Sequence, residues 1–368
     1  MAGLDRHERA KLIKRATEFR KVAKRKPAKT HRLRYDEDDE EGFEPGNRNP
    51  ASKIEEILLR LIEIDSPAPA KPVGEKSLVL EVGRRMVKVL KGEEVISCVL
   101  SPELASNQQA EVAVGDEAFV RKMADQWQVS GVGPRRTKLS RPDVHIKVRE
   151  RVIAANIDVV AVVVSVVSPP LHPRIIDRYL IAIQRGGCVP ILVVNKMDLL
   201  SESERAAELK QLDPYRALGV DVFECAAAKG ENVIELRQRL SGQLTAFVGH
   251  SGVGKSSLIN AIAPELQLKV GDVSASYGRG THTTTSSSLI DLGDLRVIDT
   301  PGIRSFGLWQ LRSEDLPWYF PEFASAGRCK YSDCTHTHEP ICAVKEAVTR
   351  RDISQARYET YLRILKNM

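Results

Sequence analysis

Leu244-Thr245-Ala246-Phe247-Val248-Gly249-His250-Ser251-Gly252-Val253-Gly254-Lys255-Ser256-Ser257 is the stretch on which the fold turns. Residues 244–248 form an apolar run of strand length, residues 249–256 fit GxxxxGK[ST], and a helical run follows from Ser257. Glycines let successive backbone N–H groups turn inward around phosphate oxygens. Lys255 is placed to reach the β and γ oxygens, and the Ser256 hydroxyl to ligate Mg²⁺. His250, Val253 and Ser257 complete the loop and its exit. A strand, this loop and a helix in succession predict a nucleotide site in an α/β domain.

Upstream, Asn195-Lys196-Met197-Asp198 closes the apolar run 189–194 and has the NKxD form. Asp198 would accept from the ring N–H and exocyclic amine of guanine. Adenine offers no such pair of donors and would leave the carboxylate unpaired, so the predicted nucleotide is GTP. Ala226-Ala227-Ala228-Lys229 is a weaker match to a fifth element touching the base. Downstream, Asp299-Thr300-Pro301-Gly302 follows the run 295–298 and fits DxxG: Asp299 would hold Mg²⁺ through water, and the Gly302 N–H would meet the γ-phosphate. Between them, Gly278-Arg279-Gly280-Thr281-His282-Thr283-Thr284-Thr285 is the expected switch segment, one of whose threonines reaches Mg²⁺. Ile303 stands where a Ras-like enzyme has glutamine, so intrinsic hydrolysis should be slow. His282 is the candidate for positioning the attacking water.

The order is unusual. NKMD and Ala226 to Lys229 precede the phosphate loop, whereas a conventional GTPase begins with it. Strands pair in space irrespective of chain order, so a circular permutation can assemble the same site. The runs 159–167, 189–194, 220–225, 244–248, 288–292 and 295–298, with helical spacing over 175–185 and 232–240, predict a largely parallel sheet covered by helices.

Short alternating runs between 77 and 141 predict a small β-barrel. An OB-fold and an SH3-like barrel both fit that periodicity. The expected organisation is multidomain α/β: a basic and acidic extension over 1–72 with a short helix at 54–64, an OB-like barrel over 73–144, a permuted GTPase domain over 145–308, and a zinc-binding helical domain over 309–368.

The 368 residues carry a net charge of +6, but residues 1–35 alone hold 13 Lys and Arg against 3 Asp and Glu, or +10, leaving −4 for the rest. That basic arm, followed by Asp36-Glu37-Asp38-Asp39-Glu40-Glu41, suits contact with a phosphate backbone or simple solvation. Aromatic residues make up only 5%, so the core should be aliphatic. The longest apolar run falls well short of the roughly 20 residues of a membrane span, and no secretory h-region precedes it. A cytoplasmic, membrane-free monomer is expected. In a reducing compartment, Cys329-x4-Cys334-x-His336-x5-Cys342 reads as a closed structural zinc site, with His338 a competing ligand.

NKMD, GHSGVGKSS, GRGTHTTT and DTPG in this order, then Cys329-Lys330-Tyr331-Ser332-Asp333-Cys334-Thr335-His336 and Glu339-Pro340-Ile341-Cys342-Ala343-Val344, closely resemble the RsgA/YjeQ family of small-subunit-dependent GTPases. Ala154-Ala155-Asn156-Ile157-Asp158 and Asp177-Arg178-Tyr179-Leu180 belong to the same resemblance, which spans about residues 77–368. It implies an N-terminal OB-fold, a permuted GTPase domain, a C-terminal zinc domain and a role in late maturation of the small ribosomal subunit, with GTP or GDP, the subunit and its rRNA as partners. Three departures stand out. The extension is longer than the family usually shows, His250 replaces a frequent glutamine, and the fifth element lacks its usual serine. None removes a phosphate or guanine contact. A GTP-binding RNA chaperone with incidental hydrolysis, or a P-loop ATPase, are the competing readings; NKMD opposes the second. Because the chain after Gly302 runs through Trp309 and Trp318 into the Cys/His cluster, a switch that tightens on the γ-phosphate is expected to move the zinc domain.

Overall fold

Alternation builds the first module. The computed structural model describes residues 73–83, 86–105, 112–142, 150–266, 287–299, 308 and 311–368, without the side chains of 103, 105, 265 and 299. The extension over 1–72, the switch segment with His282, Thr300 to Gly302, Trp309 and the Asp299 side chain lie outside these. Strands β1 (Glu75–Val82), β2 (Met86–Lys91), β3 (Glu94–Leu100), β4 (Glu117–Met123) and β5 (Gln126–Val132) pair in the order β1-β2-β3-β5-β4, and β4 returns to β1. All these pairings are antiparallel except β3 with β5. Val79, Val87, Val89, Cys98 and Val129 point inward and are fully buried, whereas Met86 and Lys88 between them are exposed. A closed five-stranded barrel in this order is an OB-type barrel, so strand pairing decides what periodicity left open. β1 pairs with β4 through Glu75 to Leu78 and reaches β12 at Glu81, and its register with β2 shifts between Val79 and Glu81.

A hairpin of β6 (Lys138–Pro142) and β7 (Glu150–Ala155) leads onward. Nothing in the apolar pattern announces it, since β6 reads Lys-Leu-Ser-Arg-Pro. The boundary expected between residues 144 and 145 lies outside the described residues.

Strands β8 (Val159–Ser165), β9 (Val189–Asn195), β10 (Asp221–Glu224), β11 (Leu244–Val248), β12 (Ser288–Asp291) and β13 (Arg296–Asp299) follow. They lie in the order β10-β9-β8-β11-β13-β12, and only β12 runs antiparallel. Every residue of β8 is buried, as expected where helices cover both faces of a parallel sheet. Helix α1 (Pro173–Arg185) packs Ile176, Leu180 and Ile183 against Val160, Val162 and Leu192 on one face. Helix α2 (Glu202–Leu209) opens with a capping box, Ser201 to Glu204. Helices α3 (Val233–Leu240) and α4 (Lys255–Ile262) cover Ala161, Val163 and Phe247 on the other face. Among the described residues, the ladder pair Glu81 with Ser288 joins barrel to sheet.

The C-terminal region has its own core. Phe320, Phe323, Val344, Ile353, Tyr361 and Ile364 pack around helices α5 (Ala343–Arg350) and α6 (Gln355–Lys366), and Ile181 of α1 enters the same cluster. Among the described residues, no helix is long and apolar enough to cross a membrane.

Candidate functional site

All the described nucleotide motifs converge on one edge of the sheet, where β8, β9, β10 and β11 end. This is the edge at which parallel α/β sheets bind ligands. The loop after β11 is possible only with glycine. Gly249 has φ +145 and a Cβ there would lie 2.2 Å from the Val163 carbonyl oxygen; Gly254 has φ +95 and its Cβ would lie 2.3 Å from Asn195 Nδ2. Lys255 Nζ donates to the carbonyls of Gly249 (2.6 Å) and His250 (2.7 Å), which holds the ammonium over its own loop. Ser256 is buried in the first turn of α4.

Asn195 is the joint of the site. Its Nδ2 donates to the Val253 carbonyl of the phosphate loop (3.0 Å), and its Oδ1 accepts from the Ala227 N–H of the fifth element (3.1 Å). One buried amide thus fixes three motifs that are remote in sequence. Lys196 takes a left-handed conformation, φ +67, and its Nζ donates to the carbonyls of Val167 (3.3 Å) and Ser168 (2.5 Å). Met197 is buried and donates its N–H to Cys225 O, leaving Asp198 half-exposed on the turn Met197–Leu199. Arg205 of α2 bonds Glu231 beside the fifth element (2.8 Å) and holds that carboxyl below the usual glutamate range.

Residues 166–172 form a wall that sequence reasoning did not assign. Ser165 Oγ donates to Pro169 O (2.7 Å), and Pro169 faces Gly252 of the phosphate loop. The available signal was Ser168-Pro169-Pro170 directly after a buried strand, at the ligand-binding edge. A separate cleft of about 470 Å³, lined by Lys76, Arg136, Asp158, Leu244 and Arg296, lies where β8, β11 and β13 begin, at the opposite edge from the phosphate loop.

The second centre gathers Cys329, Cys334, His336 and Cys342, with all four ligand atoms within 4.8 Å of one another. Cys329 and Cys342 sulfurs stand 3.8 Å apart, and His336 Nδ1 lies 3.6 Å from Cys329, 3.6 Å from Cys334 and 3.4 Å from Cys342. A tetrahedron with Zn–S and Zn–N bonds of the usual lengths has edges of about 3.8 Å and 3.6 Å, so the donor set fits zinc. Burial pushes the His336 pKa down, which favours the neutral imidazole that ligates metal. It pushes the Cys334 thiol up to about 12, so a thiolate there calls for a cation. His338, the competing ligand, is outside the cluster with its side chain 85% exposed.

The ligand loop is held from behind. Tyr358 and Tyr361 hydroxyls donate to the carbonyls of His336 and Thr335, both at 2.7 Å. Glu339 accepts from Thr335 N–H (2.8 Å), Thr335 Oγ1 (2.7 Å) and Thr337 N–H (2.8 Å). Burial alone would raise the Glu339 pKa, but these donors outweigh it and bring the carboxyl to about 2.

A parallel sheet that presents a phosphate loop from β11 and an NKxD turn from an earlier strand defines a circularly permuted P-loop GTPase. The family model for RsgA GTPase matches residues 132–309. A small ribosomal subunit biogenesis GTPase RsgA of Haemophilus influenzae (strain 86-028NP) is 43% identical over 284 residues, covering 75% of this chain and 79% of that protein. Its namesake from Actinobacillus pleuropneumoniae serotype 5b (strain L20) is 46% identical over 265 residues, covering 70% and 76%. Among solved structures, YjeQ from Thermotoga maritima aligns with TM-score 0.63 at 31% identity over 79% of this chain and 97% of that one. YloQ, described as a circularly permuted GTPase, aligns with TM-score 0.60 at 26% identity, covering 81% and 95%. The chain belongs to the RsgA GTPase family and is a GTP-hydrolysing enzyme.

Proposed function

We propose that this GTPase acts in late maturation of the small ribosomal subunit, hydrolysing GTP to GDP and phosphate when the subunit engages it. The names of its relatives support the process. The observation that carries the nucleotide reading is Asn195, whose two bonds lock NKMD, the phosphate loop and the fifth element into one guanine-type pocket. In this reading Asp198 accepts from the guanine edge, and Lys196 walls the pocket. The loop N–H groups and Lys255 stabilise charge on the transferred phosphoryl. Ser256 and Asp299 would hold Mg²⁺, which would supply positive charge to the phosphates; the Gly302 N–H would meet the γ-phosphate, and His282 would orient water.

Cys329, Cys334, His336 and Cys342 would hold zinc, which would cross-link the C-terminal domain. With four protein ligands it leaves no position for catalysis. Domains of 73–144, 145–308 and 309–368 divide the work, with the barrel and zinc domain contacting rRNA and the basic arm adding phosphate contacts. The protein works as a cytoplasmic monomer. The deciding experiment measures GTP turnover alone and with isolated small subunits, large subunits or free rRNA. Stimulation by small subunits is expected; turnover unchanged by them favours a nucleotide-regulated RNA chaperone instead.

A further inference from the structure

Helix α1 starts where the wall of the nucleotide site ends, and it carries a second stripe besides its sheet-facing one. Asp177, Ile181 and Arg185, spaced by four residues, all meet the C-terminal region. Asp177 Oδ1 accepts from Arg357 Nη1 at 2.6 Å, Ile181 joins the C-terminal core, and Arg185 Nη1 donates to the Tyr319 hydroxyl at 3.3 Å. The Asp177 and Arg357 side chains are 1% and 4% exposed. Arg357 also pairs with Glu322, through both Nε and Nη2, and stacks over Phe320 (4.9 Å) and Tyr215 (5.6 Å). Tyr215 in turn donates its hydroxyl to Pro173 O at the first residue of α1 (2.8 Å).

The residue after Arg357 is Tyr358, whose hydroxyl holds the His336 carbonyl. An unbroken line of contacts therefore runs from Lys196 and Gly252, through residues 167–169 and α1, to Arg357 and the metal loop. It uses none of residues 300–307. Pulling α1 away from α6 would break the buried Asp177–Arg357 ion pair, which disfavours separate movement of the two helices.

We infer that Arg357 is a positioning residue that ties the metal loop to the wall of the nucleotide site, so that nucleotide occupancy and zinc affinity are linked. The inference rests on the nucleotide and zinc assignments proposed above. Linkage requires that, if nucleotide changes zinc affinity, zinc changes nucleotide affinity by the same factor. The test titrates full-length, zinc-loaded protein with a chromophoric zinc chelator in three forms: nucleotide-free, saturated with GDP, and saturated with a non-hydrolysable GTP analogue.

Wild type should show apparent zinc affinities differing by about fivefold or more between the nucleotide-free form and at least one bound form. In Arg357→Met that difference should vanish. Asp177→Asn is nearly isosteric and leaves Arg357 its Glu322 partner, so it should fold and show a reduced difference. A merely structural role would lower zinc affinity equally in all three forms and leave the ratio intact, which overturns the inference, as does a wild type whose zinc affinity ignores nucleotide. A wild type that holds no zinc, or binds no GDP, overturns the underlying assignment as well, and zinc content and GDP affinity are read separately in the same samples.

Discussion

Asp198 is half-exposed on its turn while Asn195, three residues earlier, is buried, and the two do different work. Asn195 assembles the pocket; Asp198 is the proposed reader of the base. Asp198→Asn should therefore keep the fold and change preference, weakening GTP and favouring xanthosine triphosphate, because an amide can donate to the oxygen that xanthine carries in place of the amine. Competition between the two nucleotides measures this, and an unchanged preference would show that Asp198 does not read the base. Glu339 makes the matching case at the metal loop. Glu339→Gln places an amide donor where N–H donors already converge, and should cost about 1–3 kcal/mol in denaturant unfolding of the C-terminal region. The folded carboxyl sits at about 2 against an ordinary 4.5, so its contribution is fully present above 4.5 and is lost as pH falls toward 2. The gap between wild type and variant should close over that window. A gap independent of pH refutes the assignment.

At the scale of elements, the loop between β11 and α4 and the loop that bears the Cys/His cluster both depend on conformations enforced by their neighbours. Gly249→Ala would drive a methyl group into the Val163 carbonyl, which belongs to the fully buried β8 and cannot retreat. The strain, about 1–3 kcal/mol before the clash is counted, should appear as loss of nucleotide binding in a titration with GDP. Retention of wild-type affinity would mean that the loop is free to take another shape. At the other centre, Cys334→Ser should release stoichiometric zinc and unfold the C-terminal region, since binding energy at a structural metal site is folding energy. Metal analysis with circular dichroism reads both consequences. A wild type without zinc would refute the metal reading.

Across the whole molecule, subunit affinity should depend on nucleotide state. Binding to isolated small subunits is expected to be clearly tighter with a non-hydrolysable GTP analogue than with GDP; equal affinities would exclude nucleotide-controlled release, because a ligand that does not distinguish two conformations cannot shift their populations. The motif letters by themselves determined the chemistry: a phosphate loop, an NKxD turn and a Cys/His set are short, and their spacing carries the physical requirement. The apolar runs likewise determined a parallel sheet, since strands such as β8 are buried on both faces and cannot alternate. Other features needed the tertiary structure. Strand pairing settled the barrel's order, since period-two alternation says which side chains face inward but not which strand is the neighbour. The wall at 166–172 and the Asp177–Arg357 pair also stayed hidden, because a contact across 180 residues leaves no local pattern in either partner. A buried charge is legible only once its counter-charge is seen beside it.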